Sequence, residues 1–88
     1  MSLLVIYDAG DDAARRRIES LLQYAGLVRL FRNVRWGRLP EVQYELLLRR
    51  LRTRLRHTPH RIAFLRMPAN HVTAARWLVW PIRREDDA

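Results

Sequence analysis

The sequence predicts an α+β sandwich, with two helices on one face of an antiparallel sheet. Three observations carry this reading. Apolar segments with strand and helix character follow in the order strand, helix, strand, helix, strand, strand over 88 residues. Each helical segment has one apolar stripe, so each must bury a single face. The strands between them are short and capable of antiparallel pairing, which places both helices on the same side. A chain of this length has room for one core, expected over residues 1–82, followed by a charged tail over 83–88.

Leu3 to Tyr7 is a continuous β-rich apolar run closed by Asp8-Ala9-Gly10, the pattern of a central strand. Asp11 or Asp12 caps the helix that follows. Its stripe is Ala14, Ile18, Leu21, Leu22 and Ala25, and Gly26 supplies the stop. From 28 to 36 the period changes to two. Val28, Leu30, Val34 and Trp36 share one face, and Arg29, Phe31, Asn33 and Arg35 the other. The spacing predicts one strand, bent near Arg32, whose charge interrupts the apolar face. Gly37 to Leu39 turns the chain, and Pro40 suits the first position of a second helix. Glu41 and Glu45 fall in its early turns and its Arg residues toward its end, both favourable for the helix dipole. Tyr44, Leu48, Leu51 and Leu55 form its stripe, widened by Leu47. His57 to His60 breaks the helix, Arg61 to Met67 reads as a strand, and Pro68-Ala69-Asn70 as a turn. Ala75 to Ile82, carrying Trp77 and Trp80 on opposite faces, reads as a last strand, with a helical start at Ala74-Ala75 as the alternative. The sheet face away from the helices is left open, and a second copy is its simplest cover.

Composition narrows the function. All 17 basic residues are Arg, set against 9 acids, for a formal charge of +8. Three of those acids lie in Glu85-Asp86-Asp87, so the folded body is more basic still. Guanidinium forks bind phosphate oxygens bidentately, and an all-Arg surface suits nucleic-acid backbones. The absence of cysteine excludes disulfides and thiolate zinc sites. The apolar run after Met1 is too short for a signal peptide or membrane span, so no membrane role and a cytoplasmic location are expected.

The chemistry concentrates at the end of the first strand. Asp8 is a carboxylate delivered to a strand end, able to bind a hard cation such as Mg²⁺ or to cap the Ala9-Gly10 turn. A single carboxylate makes a poor metal site; two chains paired near this strand end would bring two Asp8 side chains together. Asp11 and Asp12 stand where helix caps belong. Arg15, Arg16 and Arg17 begin the helix behind them, placed to meet phosphate or to neutralise the acids. Arg29, Arg32, Arg35 and Arg38 recur every third residue, so their charges point to different faces. Arg35 and Arg38 join the candidate nucleic-acid contacts, alongside Phe31 and Asn33 on a face that suits nucleic acid or a dimer partner. The second helix adds Arg49, Arg50, Arg52, Arg54 and Arg56, a solvated face or a phosphate track. His57, His60 and His71 lack ligand spacing with a carboxylate and read as loop residues.

The phrase Tyr7-Asp8-Ala9-Gly10-Asp11-Asp12, followed by Arg15-Arg16, Leu21-Leu22 and Gly26, resembles the start of the CRISPR-associated protein two family. Val34 and Gly37-Arg38-Leu39 are similar to the end of that family's second conserved strand. The resemblance covers the first two-thirds of the chain by motif and the last third by strand pattern alone. It implies a ferredoxin-like homodimer in which the last strand of each chain completes the neighbour's sheet. It also implies a subunit that binds duplex DNA and bridges dimers of the CRISPR integrase during spacer acquisition. Some members are Mg²⁺-dependent nucleases on RNA or DNA, which makes Asp8 the metal ligand and catalytic residue, and Arg15 or Arg16 a phosphate contact. The chain departs from the family at Phe31, Asn33, Arg35 and Trp36, near the dimer and active region, which leaves the nuclease activity open. Two alternatives stand beside this reading: a toxin-like Mg²⁺-dependent endoribonuclease of the same fold, and a basic RNA-binding protein without catalysis.

Overall fold

The computed structural model describes residues 1–67. Along them run β1 (Ser2–Ala9), α1 (Asp12–Tyr24), β2 (Val28–Phe31), β3 (Val34–Arg38), α2 (Glu41–Arg54) and β4 (His60–Met67). The four strands form one antiparallel sheet in the order β2-β3-β1-β4. This is the expected α+β, ferredoxin-like arrangement, and its split β-α-β crossovers put β1 in the interior of the sheet. The turn expected at 68–70, the last strand expected at 75–82 with Trp77 and Trp80, His71, the strand exchange and the 83–88 tail all lie outside the described residues. No helix among the described residues is long and apolar enough to cross a membrane.

Local chemistry accounts for α1 from end to end. Asp11 is the N-cap, in extended conformation, and its carboxylate accepts the Ala14 N–H at 2.7 Å. That satisfies one of the donors a helix start leaves without a partner. At the other end Gly26 adopts φ +91°, Gly26 N–H donates to the Gln23 carbonyl at 2.9 Å, and Leu27 N–H donates to Leu22 at 3.1 Å. This paired closure requires a residue in the left-handed region, and glycine fits it without strain. The second helix starts one residue later than expected, with Pro40 as its extended N-cap.

The core lies between the helices and one face of the sheet. Alternation along β1 turns Leu3, Val5 and Tyr7 inward against Ile18 and Leu22 of α1 and Tyr44, Leu47, Leu51 and Leu55 on the α2 side. Leu47 is buried and Leu48 only half-buried, so the stripe of α2 sits slightly rotated from expectation. The alternate β1 residues Leu4, Ile6 and Asp8 face the other side of the sheet, where Ile6 remains 43% exposed. Val34 and Trp36 of β3 and Ala63 and Leu65 of β4 stand opposite these residues in register. Among the described residues, the sheet face away from the helices is therefore apolar and uncovered, as expected.

One segment differs. Residues 28–36 form two strands, not one bent strand, with Arg32-Asn33 as the turn between β2 and β3. Two long-range bonds hold that turn against the end of β1: Tyr7 N–H donates to the Asn33 carbonyl at 3.0 Å, and the Tyr7 hydroxyl to the Arg32 carbonyl at 3.2 Å. The register of the hairpin shifts between Arg29 and Phe31, a bulge at Leu30.

Candidate metal and nucleic-acid site

Pairing in the sheet carries Asp8 to the exit end of β1, on the open face. Its register partner in β4 is Arg61. Side chains directly opposite in an antiparallel pair share a face with Cβ atoms about 5 Å apart. The Asp8 carboxylate is exposed and has no hydrogen bond or ion pair among the described residues. Of the two roles open to Asp8 in the sequence, turn capping is absent here; the cap is made by Asp11. Gly10, just beyond, donates its N–H to the Pro59 carbonyl at 3.4 Å, tying the Asp8 turn to the entry of β4.

The candidate phosphate-binding Arg residues differ in their surroundings. Arg15 is half-buried beside the turn that carries Asn33, and its guanidinium donates to the Asn33 side-chain oxygen. Since Asn33 is itself held by Tyr7 of β1, this bond locks the start of α1 to the hairpin next to Asp8. Arg16 and Arg17 are exposed on α1, with Arg17 making only a long contact of 3.5 Å to the Thr58 hydroxyl. Arg38 is exposed but stands opposite Ser2, at the other end of β1 and about 20 Å from Asp8 by strand rise.

Arg35 corrects the sequence reading. It is 7% exposed and lies beneath the helices, where it donates to the Leu27 carbonyl at 2.9 Å and stands 3.8 Å from Glu19. Its Nε is buried without a hydrogen-bond partner. A guanidinium so enclosed cannot reach a phosphate backbone, and its role is to join β3, α1 and the connection into β2. The strand period placed Phe31 on the face of Arg35, but the hairpin register pairs Phe31 with Val34 and turns it to the open face; for Arg35 itself, the side of the sheet covered by helices was the missing information. Arg61 is the residue the sequence reading passed over as a site component; Asn33, read as part of a nucleic-acid or dimer face, instead accepts the bond from Arg15. The strand signal at 61–67 was present, but only the β1–β4 register sets Arg61 beside Asp8.

Among the described residues no three His, Asp or Glu side chains converge to hold a metal. Among the described residues Asp8 is a hard and accessible oxygen donor with no second carboxylate grouped with it. Mg²⁺ retains several waters and takes one or two carboxylates along with substrate phosphates, so the donor fits as half of a shared site. Arg61, opposite Asp8 in the β1–β4 register, adds positive charge on the same face, suited to a phosphodiester.

No protein-family model and no curated protein matches the chain. Among solved structures, the crystal structure of Streptococcus pyogenes Cas2 at pH 6.5 has the same architecture. The match has a TM-score of 0.72 and 21% identity, covering 90% of this chain and all of that one. The chain has a Cas2-like fold.

Proposed function

We propose that this chain is a homodimeric nucleic-acid-binding subunit of CRISPR adaptation that binds duplex DNA and bridges integrase dimers. A phosphodiesterase site at Asp8 is shared between the two copies. The observation that carries this reading is the placement of Asp8, without an intrachain partner, at the border of an apolar sheet face that nothing in the described chain covers. A second copy stacked on Leu4, Ile6 and Leu65 would bury that face and bring the two Asp8 ends toward each other. The likeness to Cas2 and the Tyr7-Asp8 phrase support the CRISPR assignment; the Arg-only cation set supports backbone binding.

In this reading Asp8 holds Mg²⁺, and the bound ion supplies neutralisation of the scissile phosphate and a more acidic water. Arg61 holds the phosphodiester, and the Arg15–Asn33 bond fixes the helix start against the hairpin beside the site. The toxin-like endoribonuclease reading shares the same residues and is favoured over a non-catalytic protein by the absence of any capping bond to Asp8.

The test is cleavage of single-stranded RNA and duplex DNA with and without Mg²⁺, in the original chain and in Asp8→Ala, beside duplex binding. Metal-dependent cleavage lost in Asp8→Ala, with weak duplex binding, selects the toxin-like enzyme. Tight duplex binding that survives Asp8→Ala without cleavage selects the scaffold.

A further inference from the structure

The helical layer carries a basic groove on the side of the molecule away from the open sheet face. A cavity of about 580 Å³ is lined by Ala13, Arg16, Arg17, Ser20, Leu21 and Arg54. A second, of about 380 Å³, shares Ser20, Leu21 and Arg54 with it and adds Tyr24 and Arg50. The two are therefore continuous along the seam between α1 and α2. The pairing of the α1 start with Arg54, and of its end with Arg50, means that the helices run antiparallel here. From residue 13 to residue 24 the seam extends about 16 Å at the helical rise.

Its chemistry points to an anion of extended shape. Arg16, Arg17, Arg50 and Arg54 all lie on its walls, and none of them pairs with a carboxylate among the described residues. Arg50 and Arg54 are one helical turn apart, a like-charge pair that opposes helix stability unless an anion lies across it. Leu21 gives the seam an apolar strip between its cations. Tyr24 stands at one end, 78% exposed, with the Arg50 guanidinium 5.3 Å from its ring centroid. An exposed ring beside a line of guanidinium groups is the arrangement that stacks an unpaired base while cations follow the backbone. Duplex bases are already stacked and have no use for the ring, and an acidic peptide would gain nothing from it.

We propose that the α1–α2 seam is a binding track for single-stranded nucleic acid. Its phosphates lie on Arg16, Arg17 and Arg54, and one base lies against Tyr24. The inference rests on the reading that this chain binds nucleic acid, but it places a second surface on the opposite layer from Asp8 and adds Ser20, Tyr24, Arg50 and Arg54 to the residues involved.

Fluorescence anisotropy of a short labelled oligothymidylate tests it, with a blunt DNA duplex as the second probe on the same samples. Expected for Tyr24→Ala is about tenfold weaker binding of the single strand with duplex binding unchanged, and for Tyr24→Phe no loss. The double variant Arg50→Gln/Arg54→Gln should weaken the single strand, and loss of the Arg54 phosphate contact should lower its salt slope by about 0.7. All three positions are exposed, and a thermal melt matching the original chain verifies folding. Single-strand binding that ignores these changes overturns the track. So does equal loss of single strand and duplex, or competition by a polyglutamate peptide as effective as the unlabelled oligonucleotide. Failure of the original chain to bind the duplex, with the single-strand results as expected, would instead count against the proposed adaptation role alone.

Discussion

Asp8 and Asp11 belong to one turn yet do different work. Asp11 accepts the Ala14 N–H and holds the start of α1; Asp8 makes no bond within the described chain. Replacing Asp11 by Ala should cost about 1 kcal/mol in urea unfolding. Asp8→Ala should leave stability within about 0.5 kcal/mol while abolishing any Mg²⁺-dependent cleavage. A comparable loss of stability in both would mean that Asp8 has a structural bond after all. Arg35 gives the opposite case among the cations. Arg35→Ala removes the donor to the Leu27 carbonyl and the partner of Glu19, a loss of about 2 kcal/mol, read as a fall in melting temperature of about 10 °C. Its effect on the salt slope of duplex binding should be nil, because the group is enclosed. The roles of Asp11 and Gly26 were legible in the sequence because capping is decided within a few residues. That of Arg35 was not, since its two partners come from α1 and the α1–β2 connection.

At the scale of elements, the connection from α1 into β2 packs closely against β3. A Cβ added at Gly37 of β3 would come within 2.9 Å of the Leu27 side chain and 3.3 Å of the Gly26 carbonyl. Leu27 is buried and has little room to yield, so Gly37→Ala should destabilise the domain by about 1–2 kcal/mol by overpacking. Thermal unfolding measures this directly, and an unchanged melting temperature would show that β3 can move off Leu27. Both helices were readable from periodicity, because amphipathic spacing reports the buried face of each, and β1 and β4 from apolar runs bounded by turn signals. The β2–β3 hairpin was not. Its turn uses Arg32 and Asn33 with no non-glycine residue at positive φ, so no glycine marks it. The bonds that fix it come from Tyr7, on a strand remote in sequence. The same distance hid the value of Asn33, which holds Arg15.

For the whole molecule, charge and surface set the expectations. The formal +8 charge and the absence of Lys predict duplex binding that weakens steeply with salt, the slope reporting the number of phosphates neutralised. A flat response would remove backbone contact from the account. The sheet face bearing Leu4, Ile6 and Leu65 makes the stronger demand. A chain of this size buries a limited share of its surface alone, and Ile6 and Leu65 are 43% and 42% exposed. The openness of this face was foreseeable from two helices that cover one side of a sheet, and the residues that would meet a second copy follow from the alternation of β1. The central claim is that a second copy closes this face and thereby pairs the two Asp8 ends. Sedimentation equilibrium of the original chain and of Ile6→Glu at micromolar concentration tests it most directly. The account predicts a dimer for the original chain and a folded monomer for Ile6→Glu; a monomeric original chain, or an Ile6→Glu dimer as tight as the original, would contradict it.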